Sequence, residues 1–217
     1  MSSKYTHPIT IWDVMPHAGA SQIHPHLQGM LGKGKYFGKM GRLSEASTSY
    51  KKLTRRDYFD DYLNLHIALG LGMRYRTTGI LVPIDAQKEH EFIILGTSNL
   101  TDWIRAIYLV YRTYVEELSV YCFSSGMAWP TFVVSRSDIE TETNYPLNSS
   151  PTGAKHNDEE QDGLMFARMG GRGNCQAVES DVSSLELYTI NHLSSDPYIT
   201  IKALQNTIDK YDILFES

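Results

Sequence analysis

Ala18-Gly19-Ala20-Ser21-Gln22-Ile23-His24-Pro25-His26-Leu27-Gln28 concentrates more chemistry than any other run of this chain. Its pattern predicts a strand over 21–31, in which residues two apart face one side, so His24, His26 and Gln28 line a common surface. Pro25 stiffens the backbone between the imidazoles and removes a ladder donor, which suits an edge or a bulge. Gly19 permits close backbone approach, and the amides near Ala20 and Ser21, with the Ser21 hydroxyl, are candidates to meet phosphate oxygens. A neutral imidazole is a competent nucleophile near neutral pH, because its ordinary pKa of about 6.5 leaves much of it unprotonated. Its other ring nitrogen must keep a proton, oriented by an acceptor, and the carbonyl of His24 is the candidate. His26 is therefore read as the nucleophile, because covalent capture of a nucleotidyl group divides one displacement into two easier ones. Gln28 and Ser21 are read as donors that position and stabilise the phosphate. By spacing alone a His-x-His also describes two surface residues or a fortuitous metal pair; the flanking glycine, serine and glutamine favour chemistry.

Working outward, residues 9–14 alternate as a strand and residues 15–20 turn at Pro16 and Gly19. The glycine and lysine run 32–39 lacks the Gly-Lys-Ser/Thr ending of a phosphate-binding loop and reads as a solvated connection. Three- and four-residue steps through Tyr58, Tyr62, Leu65, His66 and Leu69 predict a helix over 50–71. Strands follow at 78–83 and 91–95. A long helix begins at Asn99 or Thr101 and runs to about 121, with Trp103, Ile107, Val110, Tyr111, Tyr114 and Leu118 as its apolar stripe. Further strands are expected at 129–134, 164–169 and 185–190, with a polar loop over 135–162 and a glycine turn at 170–173. Asp196 as N-cap and Pro197 at the first position open a last helix to about 214. Strands joined as hairpins with segregated helices predict an α+β protein with a mainly antiparallel sheet.

The chain has 217 residues, enough for one core, and a formal net charge of -5, which gives no global attraction to nucleic acids or anionic membranes. No stretch reads as a signal peptide or a membrane span. The two cysteines, Cys122 and Cys175, form no CxxC pair, so no cysteine-based zinc site is legible; low cysteine use without a disulfide framework predicts a reducing, cytoplasmic setting. Away from the motif, His66 reads as a satisfied core histidine and Lys88 to Glu91 as a solvated charged turn. Arg168, Arg172 and Asn174 flank the glycine turn within reach of a phosphate.

The run from Gly19 to Gln28 resembles the galactose-1-phosphate uridylyltransferase branch of the histidine-triad (HIT) superfamily, whose pattern is glycine, small residue, serine, then His-Pro-His-x-Gln. Residues 80–95 are similar to the family's second-half strand pair, and Glu186 and Asn191 to its late hexose-binding segment. The resemblance implies a HIT-like α+β fold, with residues 1–50 as a partial first repeat and 51–217 as a second repeat with an irregular loop near 135–162. It implies a ping-pong enzyme of galactose metabolism. His26 would take the nucleoside monophosphate from a nucleoside-diphosphate sugar, such as a UDP-sugar, and pass it to a sugar 1-phosphate, or to phosphate as in phosphorylase relatives. Gly19, Ser21, His24 and Gln28 would bind the nucleotide's phosphate, and Glu186 and Asn191 the sugar. It further implies a homodimer, with neither nucleic acid nor membrane as a partner.

Three departures stand beside it. The residue at His24 is a zinc ligand in many members, but its partner ligands are missing here, so no metal or other cofactor is required. The late His-x-His of the iron site in some relatives is absent. Asp13 replaces an asparagine that contacts phosphate, and a carboxylate there repels the substrate. These departures leave two alternatives open: a non-catalytic, truncated nucleotide-binding remnant, and a diadenosine-polyphosphate phosphorylase.

Overall fold

A computed structural model of the chain describes residues 5–22, 24–97, 99–131, 164–176 and 195–215. The elements are β1 (Tyr5–Val14), β2 (Gln28–Lys33), α1 (Gly38–Thr54), α2 (Tyr58–Ala68), β3 (Gly72–Tyr75), β4 (Thr78–Leu81) and β5 (Glu89–Gly96). They continue with α3 (Leu100–Glu116), β6 (Phe123–Ala128), β7 (Met165–Gly171) and α4 (Pro197–Tyr211). The seven strands form one antiparallel sheet in the order β2-β1-β6-β7-β5-β4-β3. This is the expected α+β architecture with an antiparallel sheet.

One face of the sheet carries the main core. Trp103, Leu109, Val110 and Tyr114 of α3 pack onto Phe92, Ile94, Phe123 and Met169, and Ile201 and Leu204 of α4 complete the layer. Fully burying each such large side chain contributes about 1.5–3 kcal/mol. The two helices are also pinned by polar atoms. Thr113 Oγ1 donates to the Leu109 carbonyl (2.8 Å) and lies 3.0 Å from Thr207 Oγ1, so neither buried hydroxyl lacks a partner. Helix starts follow local rules. The Asn99 side chain accepts the Asp102 amide and Asp196 accepts the Tyr198 amide, each cap contributing roughly 1 kcal/mol.

The opposite face is covered at one end by α1 and α2, through Phe59, Leu63, Met40 and Leu43 against Leu81, Ile93, Leu95 and Phe166. The histidine motif lies toward its other end, which no described helix covers.

Several sequence expectations need correction. The region 50–71 is not one helix: Arg55 takes a left-handed conformation (φ 62°) and the Asp57 side chain caps a new start by accepting the Phe59 and Asp60 amides. Helix α1 has no fully buried residue; Met40 and Leu43 pack only in part, too little for a legible apolar stripe. A strand lies at Phe123–Ala128, ahead of the one expected at 129–134, and it ends before Pro130, which has no N–H for a ladder; residues 132–134 lie outside the described residues. Cys122 and Cys175 are joined in a disulfide with Cα atoms 5.5 Å apart, which overturns the expectation of unpaired cysteines. Folding brings together residues that sequence spacing kept separate. His66 is the core histidine expected, fully buried, with Nδ1 2.8 Å from the Tyr62 carbonyl and Nε2 accepting the Ile84 amide. The expected loop at 135–162 and strand at 185–190 lie outside the described residues.

Burial holds the imidazoles of His7 and His90 below their ordinary pKa. The folded state therefore binds fewer protons than the unfolded chain. Their contribution to stability is complete above about pH 6.5 and is lost as pH falls through the lowered folded values. His90, at φ 49°, tolerates asparagine. His90→Asn should flatten the fall in melting temperature between about pH 7.5 and 5.5; a slope identical to the parent would show that His90 is not a source.

Candidate active site

The histidines occupy the connection between β1 and β2. After Val14 the chain turns at Met15 (φ 72°), makes one 3-10 turn over Pro16–Ala18 and reverses at Gly19, whose φ of 97° a side chain would strain. The Met15 carbonyl accepts both the Ala18 and Ala20 amides, at 3.0 and 3.3 Å. Ser124 Oγ of β6 donates to the Ala18 carbonyl at 3.1 Å, tying the start of the motif to the middle of the sheet. These bonds correct one expectation: the Ala20 amide closes the turn and is not offered to a phosphate. Ser21 is exposed, and no hydrogen bond of the described residues joins it to the histidines.

His24 and His26 do not share a strand face. Strand pairing begins only at Gln28, because Pro25 cannot supply a ladder donor and the preceding turn spends the local amides on itself. The two rings lie 5.8 Å apart with planes tilted by 52°. His24 is exposed and His26 half-buried.

The orientation of His26 follows from its two neighbours. Nδ1 lies 3.2 Å from the His24 carbonyl, which only accepts, so the proton belongs on Nδ1 and the lone pair on Nε2. Nε2 lies 3.5 Å from the side-chain amide nitrogen of Gln28, the outer limit for a hydrogen bond. An unprotonated nitrogen and an amide donor thus point into the same small volume.

Gln28 pairs with Ile11, Ile11 with Gly126, and Gly126 with Arg168. Directly paired residues share a face, so this row runs straight across the open side of the sheet. Asp13, paired with Ser124, faces the same way. Arg168 is held by Glu91, which is 2% exposed: Nε bonds one carboxylate oxygen and Nη2 the other at 2.8 Å. Gln87 Oε1 accepts from Nη2 at 2.9 Å. The sequence reading had both ends of this network but not their meeting. Its signal is a lone arginine inside the otherwise apolar strand β7.

Glu186 and Asn191 lie outside the described residues. Both cysteines are spent on each other, and among the described residues no cluster of three or more His, Cys, Asp or Glu side chains, at His24 or elsewhere, could hold a metal. Cavities of about 680 and 420 Å³ elsewhere are lined by none of the motif residues.

The fold is shared with solved uridylyltransferase and sugar-nucleotide phosphorylase structures. A solved uridylyltransferase superposes with a TM-score of 0.64 at 14% identity, covering 95% of this chain and 62% of that one. A GALT-like protein from Arabidopsis thaliana gives 0.59 at 13% identity, with coverage of 94% and 61%. An ADP-glucose phosphorylase from Arabidopsis thaliana, solved with bound ADP-glucose, gives 0.57 at 12%, with coverage of 94% and 59%. The chain thus spans about three-fifths of the length of the structures it matches. No family model and no curated protein matches its sequence. Among the described residues no helix is long and apolar enough to cross a membrane.

Asp13 puts a carboxylate on the face that the motif addresses. Asp13→Asn should tighten binding of a nucleoside monophosphate about fivefold, the size of one partly screened charge repulsion. Calorimetry showing equal or weaker affinity in the variant would remove Asp13 from the site.

Proposed function

We propose that this chain is a nucleotidyltransferase working through a nucleotidyl–His26 intermediate. It moves a nucleoside monophosphate from a nucleoside-diphosphate sugar to a sugar 1-phosphate, or to inorganic phosphate. The observation that carries this reading is the His26 ring, with Nδ1 held at the His24 carbonyl and Nε2 beside the Gln28 amide. The fold shared with a uridylyltransferase and a sugar-nucleotide phosphorylase supports it.

The reaction divides into two displacements. The Nε2 lone pair attacks the α-phosphorus; a P–N bond forms, the bond from phosphorus to the bridging oxygen breaks, and the sugar 1-phosphate leaves with the electron pair. Positive charge arising on the imidazole is met by the His24 carbonyl at Nδ1. An oxygen of the acceptor phosphate then attacks the same phosphorus, the P–N bond breaks, and the neutral ring is returned. The departing phosphate is a stabilised anion and needs no proton. Gln28 suits this task because an amide donates hydrogen bonds to phosphate oxygens yet has no titratable proton to exchange, which favours transfer over hydrolysis.

A radiolabelled nucleoside-diphosphate glucose, offered with uracil, guanine or adenine as the base, should leave an acid-labile, base-stable label on His26. His26→Asn should abolish the label and lower turnover by roughly a thousandfold or more. A folded protein that accepts label from none of the three donors would end the proposal. Nucleotide binding without turnover, unchanged in His26→Asn, would establish a nucleotide-binding protein instead.

A further inference from the structure

Cys122 and Cys175 are the only cysteines of the chain, and they are bonded to each other beside the turn that carries the histidine motif. The ladder between β6 and β7 ends at the Phe123–Gly171 pair, and the Arg172 amide then donates to the Cys122 carbonyl at 2.8 Å. Past that point, and among the described residues, 173–176 make no hydrogen bond to the sheet. Asn174 Oδ1 accepts the Gln176 amide at 3.0 Å, within the turn itself. The disulfide is thus what ties this turn to the sheet. Its Cα atoms, 5.5 Å apart, stand where a bridge needs no backbone movement.

Phe123 also pairs with Val14, the last residue of β1. Met15 comes next, at φ 72°, and its carbonyl closes the motif turn on the Ala18 and Ala20 amides. Met15 and Cys175 line the same cavity of about 680 Å³, together with His90 at φ 49° and Ser119 at φ 54°. Three of the five non-glycine residues with left-handed backbone, among those described, therefore surround one cavity. A side chain held in that conformation is strained and stays there only while its surroundings over-determine it. Here one wall hangs on a bond that a reductant can open. The motif is sensitive to any release. His26 rides on the turn that Met15 closes, whereas Gln28 belongs to β2. Their 3.5 Å contact is at the outer limit, so a small displacement of the turn parts them.

We propose that the Cys122–Cys175 bond is a thiol-responsive clamp, and that a dithiol reductant withdraws His26 from its nucleotide by opening it. The functional end of this proposal rests on the reading of His26 given above. Cys122 is fully buried and Cys175 is partly exposed on the cavity, so attack falls on Cys175. A thiolate of the reductant bonds to Cys175 Sγ, the protein disulfide breaks, and its electron pair stays on the Cys122 sulfur, which takes a proton. The second thiolate then closes on the first sulfur of the reductant and releases Cys175, which is protonated in turn. Two electrons pass to the protein, which gains two thiols, and the reductant leaves as a cyclic disulfide. With the clamp open, the 173–176 turn leaves Met15, and the Met15 backbone relaxes out of the left-handed region. The His26 ring keeps its His24 carbonyl but loses Gln28.

The test compares the protein in oxidised glutathione with the protein in dithiothreitol. Residue-resolved hydrogen exchange should show the Ala18 and Ala20 amides exchanging at least about tenfold faster after reduction, with those of α3 unchanged. Calorimetry with UMP, GMP and AMP should show roughly tenfold weaker binding in the reduced form, and labelling of His26 should slow by a similar factor. Oxidised glutathione should restore both. The double variant Cys122→Ala/Cys175→Ala should match reduced wild type and respond to neither reagent. Equal exchange of Ala18 and Ala20 in the two states would overturn the clamp, as would the same dithiothreitol response in the double variant. So would a loss of protection throughout α3 on reduction, which marks a purely structural staple, or two free thiols persisting in oxidised glutathione. The two readings fail separately. Redox-dependent exchange at Ala18 and Ala20 without nucleotide binding or label removes the nucleophile and spares the clamp. Equal labelling of His26 in both states removes the clamp and spares the nucleophile.

Discussion

Strand β1 lies between β6 and β2, and its register is locked from one side. Trp12 packs edge-on against Phe123 with ring centroids 5.2 Å apart, and Val14 joins the same core. Side chains alternate along a strand, so seating Trp12 in the core sends Ile11 and Asp13 to the opposite face. Pairing of Ile11 with Gln28 then puts Gln28 on that face, beside His26. A slip of one residue would exchange the two sets, exposing Trp12 and turning Gln28 away from the histidine. The position of Gln28 beside His26 is thus set by hydrophobic burial one layer below it.

The two faces of the sheet divide the work. The α3 and α4 side is filled with large apolar residues and contributes most of the stability. The other side is only half covered. There the buried Glu91 carboxylate is met by Arg168 and two backbone amides. Burial and the neighbouring Arg168 hold the Lys39 ammonium below its ordinary pKa, and Lys39 donates to Gln87 Oε1 at 3.3 Å, which extends this polar network onto α1.

The motif loop is rigid for local reasons. The Met15 carbonyl serves two amides, the Ser124 hydroxyl holds the Ala18 carbonyl, and Ala18 and Ala20 are buried. Between these anchors and the start of β2 the chain carries Pro25, which narrows the backbone further. The ring of His26 is aimed by the carbonyl of a residue two positions back, an interaction internal to the loop and independent of the rest of the fold.

That locality explains how much was legible from the residues alone. The α+β class, the capped starts of α3 and α4, the core role of His66 and the His24 carbonyl as partner of His26 all depend on neighbours within a few positions, or on a period of two or 3.6. Other features required the tertiary structure. No residue of helix α1 is fully buried, so its apolar pattern is weak, and the break at Arg55 depends on a conformation that nearby polar residues do not announce. The Cys122–Cys175 bond and the Arg168–Glu91 pair join residues 53 and 77 positions apart, and no local periodicity encodes which distant partners meet. The surroundings of Gly126 belong to the same class: among the described residues a Cβ there would meet nothing within 4 Å, which a glycine in a sequence does not announce. Only the packing of every other element decides that.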